Sequence, residues 1–363
     1  MRLDYPLFFI ILTLVVFGLA VLASASHVIS QDKFGESYYF FSHQLLYSAL
    51  PGVFLMILLS KLDYRHWKKA AVFLLLGSLA LLILVFIPPL GLGFRGAKRW
   101  IDLGFFVFQP AEIAKLSFII YLAAWLENRK EEVKNFWSGL VPFLVIVGLV
   151  GIFLVLQPDI GTLGVLTIAA ALVYFLAGGR IGHLIFVIFL GIAGLFLLIQ
   201  FAPYRLDRFT VFMHPETDPQ GIGYQINQAK LAVGSGGVFG LGYGQGRQKH
   251  NYLPEPISDS IFAIAAEELG FIGAFSLIFL FLAFCWRGLK VAKKAPDDFG
   301  RLLAGGIVSL ISVQALINIA AILGLLPLTG IPLPFVSYGG TALLSILAAC
   351  GILLNISRNK SSE

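Results

Sequence analysis

Phe153-Leu154-Val155-Leu156-Gln157-Pro158-Asp159-Ile160-Gly161-Thr162-Leu163 lies in the middle of an apolar stretch running from about residue 137 to 177. That stretch is either two membrane crossings or one interrupted helix, and the choice sets the orientation of everything downstream. Inside a helix, proline removes a backbone hydrogen bond and clashes with the preceding turn. Here it is flanked by polar Gln157 and Asp159. An aspartate followed by Gly161 and Thr162 also suits a helix start, because its carboxylate accepts backbone N–H bonds there. The stretch therefore reads as a tight turn between spans at 137–157 and 159–177.

Working outward from that turn, apolar runs of bilayer-crossing length fall at 5–26, 43–60, 69–88, 110–127, 137–157, 159–177, 181–201, 260–286, 301–324 and 335–356. The composition agrees: 58% of the 363 residues are hydrophobic and 13% are charged, against about 25% charged in soluble domains. A soluble enzyme, a disordered chain and a disulfide scaffold are excluded. The run Tyr5 to Leu22, followed by Ala23-Ser24-Ala25, imitates a secretory signal, but its length is that of a span. Cys285 and Cys350 sit in or at the end of apolar runs and support neither a disulfide framework nor a cysteine metal site.

Ten spans with both ends inside place 16 of the 26 basic residues in the cytoplasm, as the positive-inside rule requires. The net charge of +6 follows from this and implies no nucleic-acid partner. The expected fold is thus an all-α polytopic membrane protein, one transmembrane domain over 1–363. Its two long outward segments are 89–109 and, between the seventh and eighth spans, 202–259. Loops of such length are usually functional.

Ionisable residues at membrane depth mark a functional cavity by default. Glu112 and Lys115, three residues apart, share a helix face and neutralise one another; a purely structural ion pair is the competing explanation. Asp159 and Gln109 fall on the outer side, with helix capping as the plainer role for the aspartate. Arg95, Lys98 and Arg99 occupy an outward loop against the charge bias, and Arg205 and Arg208 add further guanidinium groups, which suits an anionic ligand such as a phosphate. Ordinary snorkelling at the interface also accounts for them. The glycine-rich run 234–246 lacks both a βαβ setting and a Gly-Lys-Ser/Thr ending, so it is no nucleotide site. It allows close backbone approach to a bulky ligand, or forms a compact loop. Asp259 opens the span that carries Glu267 and Glu268, either as a helix N-cap or as a general base at the membrane surface.

At these residues the chain resembles the SEDS family of integral-membrane peptidoglycan glycosyltransferases, the FtsW and RodA type. Matching stretches are 98–104 (Lys98-Arg99-Trp100-Ile101-Asp102-Leu103-Gly104), 109–115, 157–162, 253–263, 266–270 and 329–340, in order and at matching places in the span pattern. The resemblance covers essentially the whole chain, and Gly246-Arg247-Gln248-Lys249-His250-Asn251-Tyr252-Leu253-Pro254-Glu255-Pro256 is nearer the division-type enzymes. Where the family usually has Thr-Asp-Phe, this chain has Ser258-Asp259-Ser260.

The resemblance implies polymerisation of lipid II, a disaccharide-pentapeptide on undecaprenyl pyrophosphate, at the outer face of a bacterial cytoplasmic membrane. It assigns Asp259 as catalytic base and ligand of a divalent cation, Mg or Mn, with no organic cofactor. Lys98, Arg99, Gln109, Glu112, Lys115, Asp159, Arg205, Arg208, Lys249, Glu255 and Ser337 are the implied substrate-binding residues. It further implies a class B penicillin-binding protein as partner, besides membrane lipids. A lipid II flippase and a non-catalytic division scaffold are the rival functions.

Overall fold

The computed structural model describes residues 3–88, 90–94, 97–102, 104, 107–201, 210–214, 218 and 221–359. In chain order its main helices are α1 (Tyr5–Ala25), α2 (His27–Phe34), α3 (Tyr39–Leu59), α4 (Arg65–Leu84), α5 (Pro110–Glu127), α6 (Phe136–Leu156), α7 (Ile160–Leu176), α8 (Ile181–Phe201), α9 (Ile222–Ser235), α10 (Ile261–Lys293), α11 (Asp298–Ile322) and α12 (Gly340–Arg358). Every one of the ten apolar segments is helical. Seven helices, α1, α3, α4, α6, α10, α11 and α12, are long and apolar enough to cross a membrane among the described residues. Helix α5 has 18 residues but carries Glu112, Lys115 and Glu127, and α7 is a shorter apolar helix.

The turn at 157–159 forms as the sequence requires. Helix α6 ends at Leu156, and Asp159 caps α7, its Oδ1 accepting the Thr162 amide at 3.2 Å. Gln157 Nε2 donates to the Leu82 carbonyl at 3.1 Å, which ties the turn to α4.

Helices α11 and α12 form the centre of the bundle: 83% and 78% of their apolar windows are buried, against 22% for α10. Helix α11 packs on α5, α7 and α10, and α12 packs on α3. One end of the bundle is laced by polar contacts between turns far apart in sequence. The Tyr64 hydroxyl donates to Asp297 at 2.7 Å, the Tyr64 amide donates to Asn355 Oδ1 at 2.9 Å, and Arg301 donates to the Leu176 carbonyl at 2.8 Å. Lys130 pairs with Asp298, and Lys68 with Glu127.

The all-α expectation needs one correction. The loop after α4 folds into an antiparallel sheet, order β1-β2-β3, of strands β1 (Gly91–Phe94), β2 (Ala97–Asp102) and β3 (Val107–Phe108). Leu92 lies opposite Trp100 and Ile101 opposite Phe108. Ile101 and Phe108 pack with Val85 in a small apolar cluster. Aromatic and β-branched residues in short runs favour this arrangement.

Helix α10 is broken at Gly270, where φ is 67° and ψ is −165°. The glycine-rich run inserts there. Backbone bonds join Leu241 N to Glu267 O, Gly242 N to Glu268 O, Phe271 N to Gly237 O and Ile272 N to Val238 O, at 2.8–3.2 Å. The backbone groups freed by the break are thus satisfied by the loop, as buried backbone must be. The close approach anticipated for the glycine-rich run 234–246 is made to the chain's own helix: a Cβ on Gly240 would lie 2.1 Å from the Glu268 carbonyl oxygen.

Candidate functional site

Asp259 stands two residues before α10, in a turn whose Ser258 and Ser260 amides both donate to the Glu255 carbonyl. The N-cap position of α10 belongs to Ser260, while Asp259 precedes it and lines a cavity. Four contacts fix the turn. Asn318 Nδ2 donates to the Asp259 carbonyl at 2.9 Å and to Ile331 O at 2.7 Å. The Tyr338 amide donates to Ile257 O at 2.8 Å, the Ser337 hydroxyl donates to Ser258 O, and Gln225 Nε2 donates to the Ser260 hydroxyl at 3.1 Å. The Ser258 hydroxyl sits 3.0 Å from Glu255 Oε2 and 3.1 Å from Asp259 Oδ1, so one side chain bridges two carboxyl groups.

The cavity measures about 1110 Å³ and brings together Arg99, Gln109, Glu112, Asp159, Glu255 and Asp259. These six come from the β2 strand, the start of α5, the α6–α7 turn and the loop before α10. Arg99 reaches the α6–α7 turn, donating to Gln157 O at 3.1 Å and to Pro158 O, with Asp159 Oδ1 3.9 Å away. Glu112 pairs with Lys115 at 2.8 Å, and Lys115 also donates to Gln314 Oε1 at 2.7 Å. Glu112 Oε2 and Asp159 Oδ2 are buried without a hydrogen-bond partner among the described residues. Orphaned acceptors in a cavity wall are where water or a ligand's hydroxyls are needed.

The other expected site residues fall elsewhere. Lys115 is buried behind Glu112 and Ser337 behind the Asp259 turn, each supporting a lining residue rather than facing the cavity. Lys98 is exposed on β2, outside the cavity lining. Lys249 is the clearest departure from substrate binding. It is 3% exposed, and its ammonium bonds Glu268 Oε1 at 2.7 Å, the Ser24 hydroxyl at 2.8 Å and the Gly244 carbonyl at 2.8 Å. Glu267 accepts the Arg247 amide at 2.8 Å, so the Glu267–Glu268 pair anchors the loop at 244–249. Arg205 and Arg208, with Arg95, lie outside the described residues.

The cavity wall also contains residues not anticipated from sequence: Glu36 in the connection between α2 and α3, Tyr39, His43 and Tyr47 in the first half of α3, Gln225 on α9, and Tyr338. The repeat of ring side chains every four residues from Tyr39 was available as a signal. Starting that span at residue 43 hid it.

The sequence profile of the FtsW/RodA/SpoVE family, described as "Cell cycle protein", matches residues 5–362. The chain belongs to this family. It is 43% identical over 355 residues to stage V sporulation protein E of Bacillus subtilis, covering 98% of this chain and 97% of that one. It is 41% identical over 356 residues to a probable peptidoglycan glycosyltransferase FtsW of Geobacter metallireducens, covering 98% and 95%. Among solved structures it superposes on a chain of a peptidoglycan synthase complex that coordinates polymerization and crosslinking, with TM-score 0.81, 29% identity and both chains covered in full. The rod shape determining protein RodA of Thermus thermophilus gives TM-score 0.73 and 28% identity over 100% of this chain and 99% of the other.

Among the described residues, no three His, Cys, Asp or Glu side chains converge as a metal-binding group. The Asp259 and Glu255 carboxylates with the Ser258 hydroxyl are nevertheless the hard oxygen donors that Mg²⁺ accepts when phosphate oxygens and waters complete its shell.

Proposed function

We propose that this peptidoglycan glycosyltransferase polymerises lipid II in the cavity at Asp259, on the outer face of the cytoplasmic membrane. The supporting topology has ten spans, both termini inside and the 202–259 segment outside. The observation that carries the reading is a carboxylate, Asp259, on a turn whose backbone is held by two other segments, Asn318 on α11 and Ser337-Tyr338, in the wall of a cavity that also holds Arg99, Glu112 and Asp159.

In the reaction the Asp259 carboxylate takes the proton from the 4-hydroxyl of the acceptor sugar. That oxygen attacks the anomeric carbon of the donor, and the bond from this carbon to the lipid pyrophosphate breaks, so the new glycosidic link has inverted configuration. No covalent enzyme intermediate and no second nucleophilic carboxylate are needed. Negative charge grows on the departing pyrophosphate, and cationic groups stabilise it. Arg99, which lines the cavity, would take that role, with Arg205, Arg208 and Lys98 extending the positive field on the same side of the proposed topology. An Mg²⁺ or Mn²⁺ ion would be held by Asp259 and Glu255 and would neutralise pyrophosphate charge. Ser258 keeps the two carboxyl groups in register.

A class B penicillin-binding protein is the proposed partner, since a solved relative belongs to a synthase complex that couples polymerization to crosslinking. A division-type role is proposed over an elongation role from the 246–256 stretch and the FtsW and stage V sporulation relatives. Full-length protein with its cognate partner, given lipid II, is expected to make glycan polymer, and Asp259→Ala to abolish it with expression and partner binding intact. Polymer from the variant rules Asp259 out as the base; transport without polymer from the parent favours a flippase.

A further inference from the structure

One wall of the cavity is an aromatic face that the reaction at Asp259 does not use. Phe34 and Tyr39 stack at 3.7 Å between ring centroids. Tyr39 stacks on His43 at 6.1 Å, and His43 meets Tyr47 at 4.8 Å. Spacing of four residues puts Tyr39, His43 and Tyr47 on one face of α3, a track about 12 Å long by helical rise. All three line the cavity, interleaved with Glu36 and Ser42. Tyr47 is 61% exposed even though it sits within the cavity wall.

Three further observations set this face apart from ordinary packing. The helix passes through a π-turn at Leu45–Ala49, directly beneath the track, and such turns cluster at functional sites. The Ser48 hydroxyl in the same turn lines the cavity, is fully buried and has no hydrogen-bond partner among the described residues. The face is also bolted to the Asp259 turn. The Tyr338 hydroxyl lies 3.2 Å from His43 Nδ1 while its amide donates to Ile257 O at 2.8 Å, and Gln44 binds the Gly339 amide at 3.2 Å.

We propose that Tyr39, His43 and Tyr47 form a saccharide subsite that seats pyranose rings of the glycan next to the ring reacting at Asp259. This rests on the glycosyltransferase reading above. The chemistry matches a pyranose, whose C–H face carries slight positive charge and lies against the electron-rich face of an aromatic ring. Its hydroxyls and amide find Glu36, Ser42, His43 and the orphan Ser48 hydroxyl. A lipid tail would favour an unbroken aliphatic groove without buried polar groups. Holding rings that have already reacted keeps the growing strand bound between additions, so the track sets glycan length.

The test uses full-length protein in nanodiscs and two readouts. The first is titration of the Asp259→Ala background with a lipid-free tetrasaccharide of alternating N-acetylglucosamine and N-acetylmuramic acid. The second is the length distribution of glycan made from lipid II by otherwise native protein. Tyr47→Leu and Tyr39→Leu are expected to weaken tetrasaccharide binding about fivefold to tenfold and to shorten the glycan. Tyr47→Phe, which retains the ring, is expected to preserve both. Leu variants that bind the tetrasaccharide as tightly as the parent overturn the subsite. If the native protein makes no polymer, the glycosyltransferase reading falls, and the titration still decides whether the track binds saccharide.

Discussion

The Glu112–Lys115 pair shows what one residue's neighbours decide. Spacing of three on a helix announced the pair in the sequence, but the third member, Gln314, is 199 positions away and no local pattern points to it. Both charges are nearly sealed from solvent, and removing one partner of such a pair costs about 3–5 kcal/mol because the other charge is left uncompensated. Lys115→Met alone is therefore expected to lower the thermal midpoint markedly, and adding Glu112→Gln to recover much of the loss; scanning fluorimetry of both variants checks this. For Asp259, sequence chemistry allowed a cap or a base; Ser260 occupies the cap position, which removes the first role and leaves the second as the proposal. Outside the membrane-spanning segments, Asp297 has its own pH signature. Burial pushes its carboxyl up, but hydrogen bonds from the Tyr64 hydroxyl, the Gly300 amide and Arg65 outweigh this and hold it below the usual range. A carboxyl lowered by folding adds stability above its unfolded pKa and loses it as pH falls below about 4. The thermal midpoint should drop on that acid limb, and Asp297→Asn should flatten the drop.

Among elements, the broken helix α10 was the least legible. Its apolar run from residue 260 was plain, and so was the glycine cluster at 234–246. That the cluster is the backbone partner of the break follows only from long-range pairing, which no periodicity encodes. Gly240 and Gly270 both have positive φ, and a Cβ on either would press on the backbone of the other segment, 2.1 Å from Glu268 O and 2.2 Å from Gly240 N respectively. Gly244 also has positive φ but open space around it. Gly244→Ala should thus cost only the left-handed penalty of about 1–2 kcal/mol. Gly240→Ala and Gly270→Ala should cost clearly more and reduce the yield of folded protein, as thermal melts of the three variants would show. The strands of the 91–108 loop went unread because each is too short to carry a period.

For the whole molecule, the turn at 157–159 carries the orientation, and it formed where proline and flanking polar residues demanded it. The turns at 60–64, 128–135 and 294–297 bond to neighbouring helix ends at one end of the bundle, and the proposed topology puts that end in the cytoplasm. With Cys285 and Cys350 replaced by serine, Phe239→Cys, at a residue 82% exposed, should react with a membrane-impermeant thiol reagent in intact cells. Glu131→Cys, with an 86% exposed side chain, should react only after lysis. The reverse pattern would invert the topology.

The break at Gly270 divides one helix between two mechanical worlds. Nearly all of the stub 261–270 is buried in protein, whereas residues 271–293 present a broad exposed apolar flank. The loop 237–242 bonds backbone groups on both sides of the splice. The stub that begins two residues after Asp259 is thus seated in protein, and only the rod beyond the splice turns an apolar flank outward.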